Sequence, residues 1–130
     1  MGLIHAKISL SNAKKGDLKP VDVVALVDTG ELFTCIPDHI VVQLGLEELQ
    51  KRKVTLADGK SQIVPYVGPL LIAFENRLCF TGALVLGNEV LLGATALEDL
   101  DVIISPSERK LIVNPESPNI AHCIAKRAEN

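Results

Sequence analysis

Val21-Asp22-Val23-Val24-Ala25-Leu26-Val27 runs directly into Asp28-Thr29-Gly30, and after Glu31-Leu32 the chain turns apolar again at Phe33-Thr34-Cys35-Ile36. The first run is almost continuously aliphatic, the pattern of a strand buried on both faces. Asp28-Thr29-Gly30 is therefore expected on a tight loop between two buried strands. Alone, such a tripeptide also reads as an ordinary β-turn, with the Asp side chain capping and the Gly supplying a positive φ. The surroundings separate the two readings.

Upstream, Ile4, Ala6, Ile8 and Leu10 alternate with other residues, which predicts a strand with one buried face. It is expected to form a hairpin with Val21–Val27 across the polar turn at Ser11–Asp17. Downstream, Pro37 opens a short helical stretch, Asp38–Leu44, closed by Gly45. Lys53–Ala57 and Gln62–Tyr66 flank Asp58-Gly59, a strong hairpin signal. Leu70–Phe74 and Leu78–Leu86 are expected as strands joined at Glu75-Asn76-Arg77. Val90-Leu91-Leu92-Gly93 reads as a buried strand end and Ala94–Leu100 as a helix of two turns. Val102–Ile104 and Lys110–Val113 bracket a turn. Residues 1–115 are expected as one domain, and 116–130, ending in Lys126-Arg127-Ala128-Glu129-Asn130, as a loose C-terminal tail.

The 130 residues are 48% hydrophobic but only 3% aromatic, so the expected core is β-structure filled with aliphatic side chains. A net charge of −3 argues against a nucleic-acid groove. Lys14-Lys15 and Lys51-Arg52-Lys53 read as solvated faces, because no aromatic platform accompanies them. No apolar run has the length of a membrane span, and His5 and Lys7 stand where a signal peptide needs its apolar stretch.

Cys35, Cys79 and Cys123 lack metal-ligand spacing and do not form a disulfide framework. Cys35 and Cys79 lie in apolar runs and read as core residues; a Cys35 nucleophile is the lesser alternative. The expected compartment is a reducing one, the cytoplasm. His5, His39 and His122 are too scattered for a zinc site or a His/Cys pair, and no cofactor is called for. Asp99 and Asp101 read as residues capping and following the short helix.

The order of these elements resembles the retropepsin-like aspartic proteases, specifically their small bacterial and archaeal members, over roughly residues 21–113. Val27-Asp28-Thr29-Gly30 matches the catalytic loop, and Leu91-Leu92-Gly93 matches the aliphatic-aliphatic-Gly segment that packs beside it. The resemblance implies an all-β fold, a closed-barrel-like acid-protease (retropepsin) architecture with one or two short helices. It implies an aspartic endopeptidase with Asp28 as the catalytic carboxylate and a peptide or protein as substrate.

Hydrolysis of this class needs two carboxylates sharing a proton, one as general base and one as acid. Asp-Thr-Gly occurs once, so the second Asp28 must come from a homodimeric partner across a two-fold axis. Asp28 and its copy would titrate as a coupled pair. The resemblance gives the Thr29 hydroxyl a hydrogen bond to the partner's loop and lets Gly30 bring the backbone close to substrate. Ala57, Asp58 and Gly59 would form a flap over the peptide, and Glu31, Leu92 and Gly93 would lie against it.

This sequence departs from the pattern in two ways. Glu31 stands where most relatives have Ala or Ser, which adds carboxylates near the dyad. Leu32 and Ala94 occupy the positions of an Asp–Arg ion pair in the retroviral enzymes; losing both together leaves no unpaired buried charge. The rival reading is a non-catalytic dimeric peptide-binding or interaction module on the same fold; a third is a monomer completed by a different chain.

Overall fold

The alternation at the N-terminus folds as expected. A computed structural model describes residues 3–127; the ends of the expected domain and tail, Met1-Gly2 and 128–130, lie outside the described residues. Strand β1 (Ile4–Asn12) buries Ile4, Ala6, Ile8, Leu10 and Asn12 on one face. It pairs antiparallel with β2 (Val21–Val27), from Ile4 opposite Val27 to Leu10 opposite Val21. β2 is not buried on both faces as its composition predicts. Asp22 and Val24 face solvent, and only its last residues, Ala25 and Val27, are fully enclosed. There a further strand joins its free edge, which is what an apolar outer face near the loop requires.

The remaining elements are β3 (Cys35–Ile36), α1 (Asp38–Gln43), β4 (Glu47–Thr55), β5 (Ser61–Phe74), β6 (Arg77–Val85), β7 (Leu91–Leu92), α2 (Ala94–Leu100), β8 (Val102–Ser105) and β9 (Lys110–Val113). The main sheet runs β1-β2-β7-β3-β6-β5-β4, and β1 also pairs with β5 through Ser9 to Asn12. That second pairing closes a barrel of six strands and removes its free edges. β4 stays outside the ring, paired with the first half of β5, so the β4–β5 hairpin projects from the barrel. β8 and β9 form a separate two-stranded ribbon.

The barrel interior is aliphatic: Leu10, Ile36, Leu44, Leu70, Ile72, Leu92 and Leu100 are fully buried. Each such side chain contributes on the order of 2 kcal/mol. Cys79 belongs to this core, and burial together with the Asp99 carboxylate raises its thiol to about 12. Asn12, expected in a polar turn, is instead buried at the end of β1. Its Nδ2 donates to the carbonyls of Leu44 and Gly45 at 2.9 and 3.2 Å, and its Oδ1 accepts from Lys14 and Lys15 N–H. It thus satisfies the end of α1 that no intrahelical bond reaches.

Arg77, expected in a turn, is the first residue of β6 and is fully buried. Its Nη2 donates to the carbonyls of Ser117 and Asp101 and lies 3.6 Å from the Asp101 carboxylate. Asp101 ends α2 with a left-handed φ of 54°. Its carboxylate accepts from Asn114 Nδ2 at 3.0 Å, from the Ser117 hydroxyl and from His122 N–H at 2.8 Å. Asn76 Nδ2 donates to the Pro118 carbonyl at 2.9 Å. Among the described residues no helix or strand follows Val113, yet these bonds hold the segment from Asn114 to His122 against the barrel.

The hydrogen bonds from Ser117, Asn114 and His122, helped by Arg77, lower the Asp101 carboxyl from 3.8 to about 2. The folded carboxyl takes up its proton less readily than the unfolded one. The stabilisation is therefore complete above about pH 4 and is lost as pH falls toward 2. A wild-type protein should lose stability across that window, and Asp101→Asn should flatten this part of the curve; unfolding midpoints measured from pH 5 to 2 check it. Identical acid limbs would remove Asp101 from the account.

Candidate active site

Asp28 sits where β2 stops, and its loop is built by the arrival of a distant strand. Two-residue β7 lies parallel to β2, with Leu26 opposite Leu91 and Val27 opposite Leu92, and antiparallel to β3, with Cys35 opposite Leu91. The strands entering and leaving the loop are thus both clasped to β7. Asp28 N–H donates to the Leu92 carbonyl at 3.1 Å, and Gly93 N–H donates to the buried Thr34 hydroxyl at 3.2 Å.

The loop closes on itself. Gly30 N–H donates to Asp28 Oδ1 at 2.9 Å and Glu31 N–H to the Asp28 carbonyl at 3.3 Å. Gly30 has little room for a side chain, since a Cβ there would stand 3.3 Å from Asp28 Oδ1. The Asp28 carboxylate is half-exposed, while Thr29 and Gly30 face solvent. The Thr29 hydroxyl has no hydrogen-bond partner among the described residues.

Helix α2 supports the far side of the loop. Ala94 N–H donates to the Glu31 carbonyl at 2.6 Å, and Thr95 donates to the Leu32 carbonyl through N–H at 3.1 Å and through its hydroxyl at 2.9 Å. Leu32 and Ala94 are not bonded to each other: Ala94 bonds Glu31, and Leu32 accepts from Thr95. Gly93 is required by close approach: a Cβ would lie 2.6 Å from the Phe33 carbonyl carbon and 2.7 Å from its oxygen. Leu92 is fully buried in the barrel core, so Leu92 and Gly93 underlie the loop and present no side chain to a peptide.

Burial raises the Cys35 thiol to about 11, and the Glu31 and Asp28 carboxylates push in the same direction. A thiol so reluctant to ionise is a core residue and not a nucleophile. Glu31 itself is half-buried.

Ala57, Asp58 and Gly59 form the exposed tip of the β4–β5 hairpin, where Gly59 has a φ of +85° and Asp58 Oδ1 accepts from Lys60 N–H at 2.9 Å. The middle of the hairpin makes the contact to the segment that leaves the loop. Phe33, Val54, Tyr66, Leu86 and Leu91 pack on buried Cys35, Val64 and Leu84 in a second, smaller apolar cluster. Arg52, expected on a solvated face, is half-buried over it, its guanidinium carbon 4.6 Å from the Phe33 ring centre and 4.8 Å from that of Tyr66. Sequence reasoning missed Phe33, Thr34, Arg52, Tyr66 and Thr95. Thr34, a polar residue inside an apolar run, carried the one local signal. Among the described residues no group of three or more His, Cys, Asp and Glu is placed to hold a metal ion, and no helix is long and apolar enough to cross a membrane.

A closed barrel with a two-residue strand threaded between the two arms of an Asp-Thr-Gly loop, and two short helices, is a retropepsin-like fold. The crystal structure of the retroviral protease-like domain of Ddi1 from Leishmania major is similar to it with a TM-score of 0.57, over 88% of this chain and 91% of that one. The two are 12% identical, so the likeness is one of fold. No protein-family model matches the chain, and no curated protein matches it in sequence.

Proposed function

We propose that the chain is one half of a homodimeric aspartic endopeptidase in which Asp28 from each of two copies forms the dyad. The supporting observation is the loop itself: a half-exposed Asp28 carboxylate, fixed by Gly30 and β7, at the surface of a retropepsin-like barrel. The ionised carboxylate would take a proton from water as its oxygen attacks the peptide carbonyl carbon, and the protonated one would donate to the carbonyl oxygen. Proton transfer to the amine then lets the C–N bond break. The exposed Thr29 hydroxyl would bond the partner's loop, and the Ala57-Asp58-Gly59 tip would close over the peptide. The narrower likeness to small bacterial and archaeal members rests on the sequence motifs.

Dilution tests this assembly. Specific activity should fall as sedimentation shows the dimer dissociating. Constant activity in a solution of monomers would end the two-chain mechanism. A non-catalytic peptide-binding module on the same fold is favoured by one feature, the charged Glu31 directly after Gly30. A dimer that cleaves no casein-type substrate from acid to neutral pH would decide for it.

A further inference from the structure

The hairpin carries a charge that the protein does not neutralise. Arg52 lies on β4 with Val54 toward the second apolar cluster, while Lys51 and Lys53 alternate outward into solvent. Its guanidinium rests on the rings of Phe33 and Tyr66, which themselves meet edge to face at 6.0 Å. Among the described residues no carboxylate comes within 4.0 Å of it. Its Nε is buried with no hydrogen-bond acceptor. A half-buried cation with an unsatisfied donor is costly unless something supplies the acceptor. Two aromatic rings hold the guanidinium in place but accept none of its in-plane N–H bonds.

The position makes that acceptor meaningful. Phe33 follows Gly30 by two intervening residues, and its backbone is pressed against Gly93 at the loop's foundation. Arg52 thus joins the hairpin to the segment that leaves the Asp28 loop. Resting on the endopeptidase reading, we infer that Arg52, seated on Phe33 and Tyr66, is a specificity-determining residue that binds an acidic side chain of the substrate peptide. A carboxylate meets a guanidinium with two parallel hydrogen bonds, a geometry that neither an amide nor an aliphatic side chain reproduces. The peptide site would then have one charged subsite.

A positional peptide library on the wild-type protein should reveal one position where Glu is preferred over Gln by on the order of tenfold. Arg52→Gln should bring that ratio near one by lowering the rate on the Glu peptide more than on the Gln peptide; Arg52→Lys, which retains the charge, should keep part of the preference. The same Glu and Gln peptides, labelled for anisotropy, should show the ratio in binding to Asp28→Asn protein, where no hydrolysis occurs. No acidic preference at any position overturns the inference, as does equal loss of both peptides in Arg52→Gln with a lowered melting temperature, which makes Arg52 a brace. Binding of neither peptide overturns it too. A retained Glu preference in binding, with no cleavage by wild type, sinks the endopeptidase reading and leaves the Arg52 subsite standing.

Discussion

Asp28→Asn protein should fold and dimerise as wild type while peptide hydrolysis falls by about 10³-fold, the middle of the range that a positioned acid–base group contributes. The structural side of this expectation is specific. Asp28 holds its loop with one side-chain oxygen, which accepts from Gly30 N–H at 2.9 Å, and with its main-chain N–H, which donates to Leu92. An asparagine keeps both bonds, because its amide oxygen accepts as the carboxylate oxygen does. It loses the capacity to take a proton from water. Each dimer would carry two such amides, so neither the base nor the acid of the dyad survives. Hydrolysis rate, circular dichroism and sedimentation on one preparation separate chemistry from folding. Cleavage of casein at the wild-type rate would show that Asp28 is not the catalytic group.

Gly93→Ala should produce the largest loss of stability of any single methyl added to the chain, about 3 kcal/mol or more. The added carbon would overlap the carbonyl group of Phe33 and approach the Leu32 carbonyl oxygen to 2.9 Å. All three atoms are backbone, so no rotamer change relieves the contact. β7 must move away from β3, and that separates the two arms of the Asp28 loop from the strand that clasps both. Gly16→Ala is the matched control, because a Cβ there meets nothing within 4 Å. Denaturant midpoints for the two variants test the difference. A Gly93→Ala protein that unfolds with wild type would show that the crossing tolerates a side chain and that Gly93 is not its keystone.

What the sequence made legible follows the range over which each feature is determined. Ala94–Leu100 was readable as a helix at both ends, because its signals lie within the segment, and the Asp58-Gly59 turn was readable for the same reason. The two halves of the candidate site, Asp28-Thr29-Gly30 and Leu91-Leu92-Gly93, were recognisable as motifs, and the structure brings them together. β4 was legible only from Lys53 onward. Glu47, Glu48, Leu49, Gln50 and Lys51 are exposed on both faces of a strand outside the barrel, so they leave no apolar period to read. Arg52 and Arg77 were misread because charge in a sequence says nothing of partners. Arg52 rests on Phe33 from another element, and Arg77 is met by carbonyls 24 and 40 residues away. The almost continuously aliphatic look of β2 overstated its burial, since Val24 had no strand or helix to cover it.

The hydrogen bonds that hold the Asp28 loop also set an order in time. Gly93 to Thr34 and Thr95 to Leu32 span 59 and 63 residues of chain. While a ribosome is still making the hairpin and β6, the segment that contains Asp28 has its covalent structure but neither the strand nor the helix that shapes it. Loops of that length close late, after the local hairpins have formed. The carboxylate is thus set in its final geometry only when the barrel itself is nearly finished. A growing chain therefore carries Asp28 without its shaped loop, because the residues that shape it have yet to be translated.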